Sequence, residues 1–125
     1  MSQTIAPVGV VAGDAYADIA GTLIDTINGE KSVTYRCAAT VFGATFKVVG
    51  SLDNATFVDL VTSNELGVEA AAVDVAVAVG TAKVLAIREQ GVGNGSRAGF
   101  RWYKLQQKNT VGGSNATGTV TGFAK

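Results

Sequence analysis

Valine alternates with small or acidic residues along residues 73–79, with Val73, Val75, Val77 and Val79 on one side of an extended chain and Asp74, Ala76 and Ala78 on the other. Successive side chains of a strand point to opposite faces, so this run predicts a strand with one valine face. Residues 33–41 repeat the pattern, with Val33, Tyr35, Cys37, Ala39 and Val41 set against Thr34, Arg36, Ala38 and Thr40. Cys37 is thereby expected on an inward face. Further strands are expected at residues 16–27, 44–49, 56–61, 84–89, 100–107 and 117–123. Asn28-Gly29, Asp53-Asn54, Gly91-Val92-Gly93-Asn94-Gly95 and Gly112-Gly113 separate them and supply residues that tolerate positive φ. About eight short strands at this spacing predict an all-β antiparallel sandwich or barrel. Residues 65–72 are alanine-rich and depart from the pattern, reading as a helical turn or two ahead of the valine strand.

Composition strengthens this reading. Eighteen valines, thirteen threonines and sixteen glycines favour strands and turns, and the single proline, Pro7, lies near the start. At 125 residues, 47% of them apolar, the chain has enough material for one core and no room for a second. Residues 13–125 are therefore expected to form a single β-sandwich domain, with residues 1–12 an N-terminal arm or edge strand. No repeat with a period of 20 to 50 residues is evident, which excludes a solenoid or propeller.

Charge narrows the partners. Ten basic and ten acidic residues cancel to a net charge of zero, so no global field draws the protein to nucleic acid or to an anionic membrane. Low net charge also weakens the repulsion that keeps a free monomer apart from its neighbours, which suits a protein held in an assembly. Residues 1–11 carry neither a basic stretch nor a long apolar run, so no signal peptide is expected. No window approaches the roughly 18 consecutive apolar residues of a membrane span. The sequons at Asn54, Asn94 and Asn115 read as polar turn sequences.

The chemistry available is sparse. The chain has no histidine, which removes the commonest general base and metal ligand, and its single cysteine can form neither an internal disulfide nor a thiolate cluster. Cys37 is expected to be a buried structural residue, since it lies mid-strand with no histidine to activate it. Asp14, Asp18 and Asp25 lack the ladder and glycine turn of a calcium loop. The glycine loop 91–95 does not join a strand to a helix and no Gly-Lys-Ser/Thr follows it, so it is not a phosphate cradle. No enzyme, no cofactor and no metal are expected. One basic and aromatic cluster remains, Arg97, Arg101, Trp102, Tyr103 and Lys104. Trp102 and Tyr103, with the loop residues Asn94 and Arg97, form a candidate platform for stacking sugar rings, the second reading of the chain. Alternation places Phe100 and Trp102 on one side and Arg101, Tyr103 and Leu105 on the other.

The segment Phe46-Lys47-Val48-Val49-Gly50-Ser51-Leu52-Asp53-Asn54-Ala55-Thr56-Phe57-Val58-Asp59-Leu60 resembles a hairpin recurrent in discoidin-like and other jelly-roll modules. Phe100-Arg101-Trp102-Tyr103-Lys104-Leu105-Gln106 resembles their aromatic-basic strand, and Gly118-Thr119-Val120-Thr121-Gly122-Phe123 a closing strand. Locally, Ser51, Asp53 and Asn54 are suited to bond their own backbone, with Phe46 and Phe57 as apolar anchors across the hairpin. The chain is short for a discoidin domain and lacks that family's bracketing cysteines. In its histidine-poor Gly/Ala/Val/Thr character it is similar to the small β domains of tailed-phage virions, which serve as capsid decoration or cement proteins or as tail components. That resemblance implies a jelly-roll-like sandwich in a virion, with the major capsid protein or other virion proteins as partners and a homo-oligomer, a trimer, as its working state. Ile5, Pro7, Val8 and Val10 of the apolar N-terminal segment are then the candidate contacts with the shell.

Overall fold

The computed structural model of the chain describes residues 3–88 and 100–125, and the expected glycine loop with Asn94 and Arg97 lies outside them. Ten strands occur among the described residues, and no helix: β1 Gln3–Val11, β2 Ala17–Asp18, β3 Ile24–Asp25, β4 Ser32–Val41, β5 Ala44–Ser51, β6 Val58–Leu60, β7 Val75–Val77, β8 Ala82–Arg88, β9 Trp102–Asn109 and β10 Thr117–Ala124. They form two antiparallel sheets. Sheet A has the order β1-β10-β4-β8, and sheet B the order β2-β9-β5-β6, with β3 also on β9 and β7 also on β5.

Ten segments reduce to eight strands. β2 pairs with Gln106 and Gln107 while β3 pairs with Trp102 and Tyr103, so the two lie end to end along β9. β6 and β7 divide β5 in the same way, at Val48–Gly50 and Ala44–Phe46. Counted so, sheet A contains the first, eighth, third and sixth strands, and sheet B the second, seventh, fourth and fifth. This is the connectivity of a jelly roll. The last two strands, β9 and β10, occupy interior positions of their sheets.

Each departure from the expected strands has a local cause. The valine run is a strand only at Val75–Val77, because β6 occupies the edge of β5 beyond Phe46 and β5 itself begins at Ala44, opposite Val77. The segment 16–27 breaks at Ile19–Thr22, where Gly21 takes a φ of 84° and the Thr22 amide and hydroxyl both donate to the Ile19 carbonyl. Thr22 also repairs the gap, since its Oγ1 accepts the Leu105 amide at 3.1 Å in place of a ladder bond. Residues 65–72 form no helical turn. Instead the Asn64 side chain accepts the amides of Leu66 and Val68, with Gly67 at a φ of 79°, and the chain doubles back so that Ser63 faces Glu69.

The core lies between the sheets. Tyr35, Cys37 and Val33 from β4, Phe46 and Val48 from β5, Leu85 and Ile87 from β8, and Tyr103 and Leu105 from β9 are all buried. Cys37 is inward as expected, and burial pushes its thiol well above the usual range, which suppresses thiolate chemistry. The Tyr35 hydroxyl crosses from sheet A to donate to the Thr22 carbonyl at 2.7 Å, with the Tyr103 carbonyl at 3.3 Å. A buried hydroxyl needs such partners, and here they tie the two sheets together.

Candidate functional site

Two surfaces carry the residues singled out in the sequence. The first is the outer face of sheet B. On β9 the side chains of Tyr103, Leu105, Gln107 and Asn109 turn into the core, while Trp102, Lys104, Gln106 and Lys108 are half-buried on the opposite face. Trp102 and Tyr103 therefore do not share a surface, and Tyr103 is fully buried with its hydroxyl donating to the Phe100 carbonyl. The expected sidedness of the preceding pair also differs. Phe100 packs on the core and Arg101 stacks on Trp102, its guanidinium 4.2 Å from the ring centre, because the ladder begins only at Trp102.

Three of the cations on this face are paired locally, while Lys108 lies 4.9 Å from the centre of the Tyr16 ring. Arg101 donates to both carboxylate oxygens of Asp25 at 2.7 and 2.8 Å, and Lys104 reaches Asp18 at 2.8 Å while lying 3.9 Å above the Phe57 ring. Lys47 pairs with Asp59 at 3.0 Å over the Tyr16 ring, and the Tyr16 hydroxyl donates to Asp74. Phe57 thus belongs to this outer face and does not meet Phe46, which is in the core; it precedes β6 and is free of that strand's alternation. Hydrogen bonds from Arg101, and from Lys104 and Gln106, hold the carboxyls of Asp25 and Asp18 below the usual range. Asp14 is lowered by the Gly113 amide and the Asn109 side chain. The three aspartates have separate partners, and among the described residues no cluster of three metal-ligating side chains forms. Asp53 accepts the amides of Thr56 and Ala55 and the Ser51 hydroxyl, and these bonds hold its carboxyl at about 2. This is the turn chemistry expected of the 46–60 hairpin.

The second surface is the edge of β1. A sheet edge presents unpaired backbone donors and acceptors, and proteins blunt such edges by shortening, charging or covering them. Both edges of sheet B are interrupted strands. On sheet A, β8 is bridged by Ser63, whose amide and carbonyl exchange bonds with Ala86. β1 is different: it runs nine residues without a charged side chain, and no strand pairs along its outer edge among the described residues. Its one irregularity is a register shift between Ile5 and Val8 that encloses Pro7, consistent with proline's exclusion from regular ladders. The expected contacts divide accordingly. Val10 is buried in the core, Ile5 and Val8 pack partly against it, and Pro7 is exposed. Both ends of β1 are pinned, by Gln3 donating to Glu30 and to the Asp25 carbonyl, and by Gln107 donating to the Val11 carbonyl. The sequence pattern marked β1 as apolar, but its place at an open edge depends on β10, more than a hundred residues away in the chain.

These features define a class, a jelly-roll β-sandwich with an ion-paired outer face and one long uncharged edge. No protein-family model matches the sequence, and no curated protein does. Solved structures share the fold. A chain from the Bacillus endospore appendages, described as a novel family of disulfide-linked pili, aligns over 99% of this chain and 84% of its own with a TM-score of 0.57 and 13% identity. The SPBc2 prophage-derived protein YomS aligns over 99% of this chain and 94% of its own with a TM-score of 0.60 and 11% identity. At such identities the likeness is one of fold. Among the described residues no helix is long and apolar enough to cross a membrane.

Proposed function

We propose that the protein is a non-catalytic structural component of a phage particle, and specifically a decoration protein that docks on the assembled head through the edge of β1. The observation that carries this reading is the uncharged nine-residue edge itself. Strand addition along such an edge gives affinity through backbone bonds, with neighbouring side chains supplying selectivity. Pro7 limits the addition to the stretches on either side of it, of which Val8–Val11 is in unbroken register with β10. The shared fold with a prophage-derived protein and an appendage chain agrees with a structural role. The sugar-platform reading draws less support, because Tyr103 is buried and Trp102 is overlaid by Arg101.

The test is co-sedimentation with undecorated phage heads. Gly9→Lys is the informative variant: a Cβ at Gly9 meets nothing within 4 Å, so the fold tolerates it, while a lysine on an edge strand opposes strand addition. The wild-type protein is expected to pellet with heads and the variant to stay in the supernatant with an unchanged melting temperature. Equal binding by both removes β1 as the contact, and retention of the wild-type protein on polysaccharide instead of heads removes the proposal.

A further inference from the structure

Sheet A ends at β8, and the bridge from Ser63 covers that strand only at Ala86. Ser63 and Ala86 exchange both of their backbone bonds, so the N–H and C=O of Ala86 point away from β4. The ladder between β4 and β8 keeps one register from Val33 opposite Ile87 to Ala38 opposite Ala82, and along a regular strand these directions alternate. Val84 and Ala82 therefore also turn their N–H and C=O outward, where no strand pairs with them among the described residues.

One side chain ends the partner strand after a single bridge. Asn64 follows Ser63, and its carboxamide oxygen accepts the Leu66 and Val68 amides, which turns the chain away and brings Glu69 back beside Ser63. A groove of about 330 Å³ is left between this hairpin and residues 82–84, with Val75 of β7 also in its wall. The groove is charged on both sides, by Glu65 and Glu69 of the hairpin and by Lys83 of β8. All three are exposed, and none of them enters an ion pair among the described residues. Asp74, next to Val75, already accepts from the Tyr16 hydroxyl.

We propose that this open half of β8 is a second docking edge, which takes an extended segment of a partner protein as an added strand, an acidic residue of the segment meeting Lys83 and a basic one meeting Glu65 and Glu69. The backbone selects the kind of occupant. Outward N–H and C=O groups repeating every second residue match an extended main chain, as in strand addition. The charges select its side chains. Every second residue of an added strand faces the groove, and across paired strands opposite charges stabilise while like charges directly opposite destabilise. A segment of one charge sign would satisfy one wall and be repelled by the other. β1 and β8 are the two opposite edges of sheet A, so the inference is independent of what the β1 edge binds.

Titration of the isotope-labelled chain with the acetylated and amidated pentapeptide Thr-Glu-Val-Lys-Val, followed by amide NMR, tests it. The Ala82 and Val84 signals are expected to shift at millimolar peptide. Thr-Glu-Val-Glu-Val and Thr-Lys-Val-Lys-Val should each bind about fivefold more weakly, as should the first peptide to Lys83→Glu. Val84→Pro removes an outward N–H that the ladder to β4 does not use, so it is expected to keep the fold and lose the response. Lys83→Glu changes only an exposed side chain and decides the matter without any change to the backbone. No response at Ala82 and Val84, equal binding of the three peptides, equal binding by Lys83→Glu, or a full response in Val84→Pro overturns the proposal. So does a wild-type dimer that Val84→Pro renders monomeric, which would give this edge to a second copy.

Discussion

Replacing Tyr35 by phenylalanine tests whether the two sheets are joined by a hydrogen bond as well as by apolar packing. The ring stays in place, so the apolar contacts of a residue with no exposed surface are kept and only the hydroxyl is removed. Left behind is the Thr22 carbonyl, the acceptor at 2.7 Å, together with the Tyr103 carbonyl at 3.3 Å. A buried polar group stripped of its partner costs about 1–3 kcal/mol, and a loss of about 2 kcal/mol is expected. For a domain of this size that lowers the melting temperature by roughly 8 °C. The assay is urea unfolding, where the midpoint should fall at constant m-value. Thr22→Val provides the cross-check, because Thr22 also donates to Ile19 and accepts from Leu105. Two changes to one network should couple by more than about 0.5 kcal/mol. A Tyr35→Phe loss below about 0.5 kcal/mol, or strict additivity with Thr22→Val, would refute the idea that this network holds the sheets in register.

Gly118→Ala should be far more damaging than its size suggests, because the added Cβ falls on the Ala38 carbonyl oxygen and against the Ala39 Cα, both backbone. Overpacking that cannot be relieved by a side chain is expected to cost at least about 3 kcal/mol, read by the same unfolding assay, whereas Gly9→Ala should be neutral. Stability should also depend on pH in a set direction. Asp14, Asp18, Asp25 and Asp53 have carboxyls lowered by hydrogen bonds in the fold, Asp53 to about 2. A lowered folded value means a contribution present above the unfolded value and lost as pH falls through the folded one, so the urea midpoint should decline between about pH 4 and pH 2. Cys37 works the opposite way: burial raises its thiol, so its contribution is present below the unfolded value and is lost above about pH 8.5. A midpoint that rises on acidification would contradict the aspartate bonds.

Strand identity was legible wherever one face is buried along an uninterrupted partner, as on β4, where alternation alone placed Tyr35 and Cys37 inward. It failed where the partner runs out. Val73 and Val79 continue the same alternation as Val77, yet only three residues pair with β5: beyond Val75 that edge belongs to β6, and beyond Val77 β5 has not begun, so Val79 bridges Ala39 instead. Thr22 shows a second limit: its hydroxyl substitutes for a ladder bond to Leu105, which no local pattern announces. At the candidate site the apolar character of Ile5, Val8 and Val10 was visible, whereas their division between core and edge was set by pairing with β10. The ion pairs of the outer face, such as Arg101 with Asp25, join residues far apart in the chain and could not be paired from spacing. Trp102 and Tyr103 were separated correctly by period two, but the slip at Phe100 and Arg101 followed from where the strand begins.

The interior positions of β9 and β10 have a consequence for biosynthesis. Until β10 leaves the ribosome, β1 has nothing to lie against and β4 has only β8; until β9 does, β2 and β3 have no partner and β5 has only the three-residue segments β6 and β7. Folding must therefore wait until β9 and β10 have been made and then close long-range pairings together, which is slow. A product ended before β9 keeps only β4 on β8 and β5 on its two short neighbours, and is open to degradation.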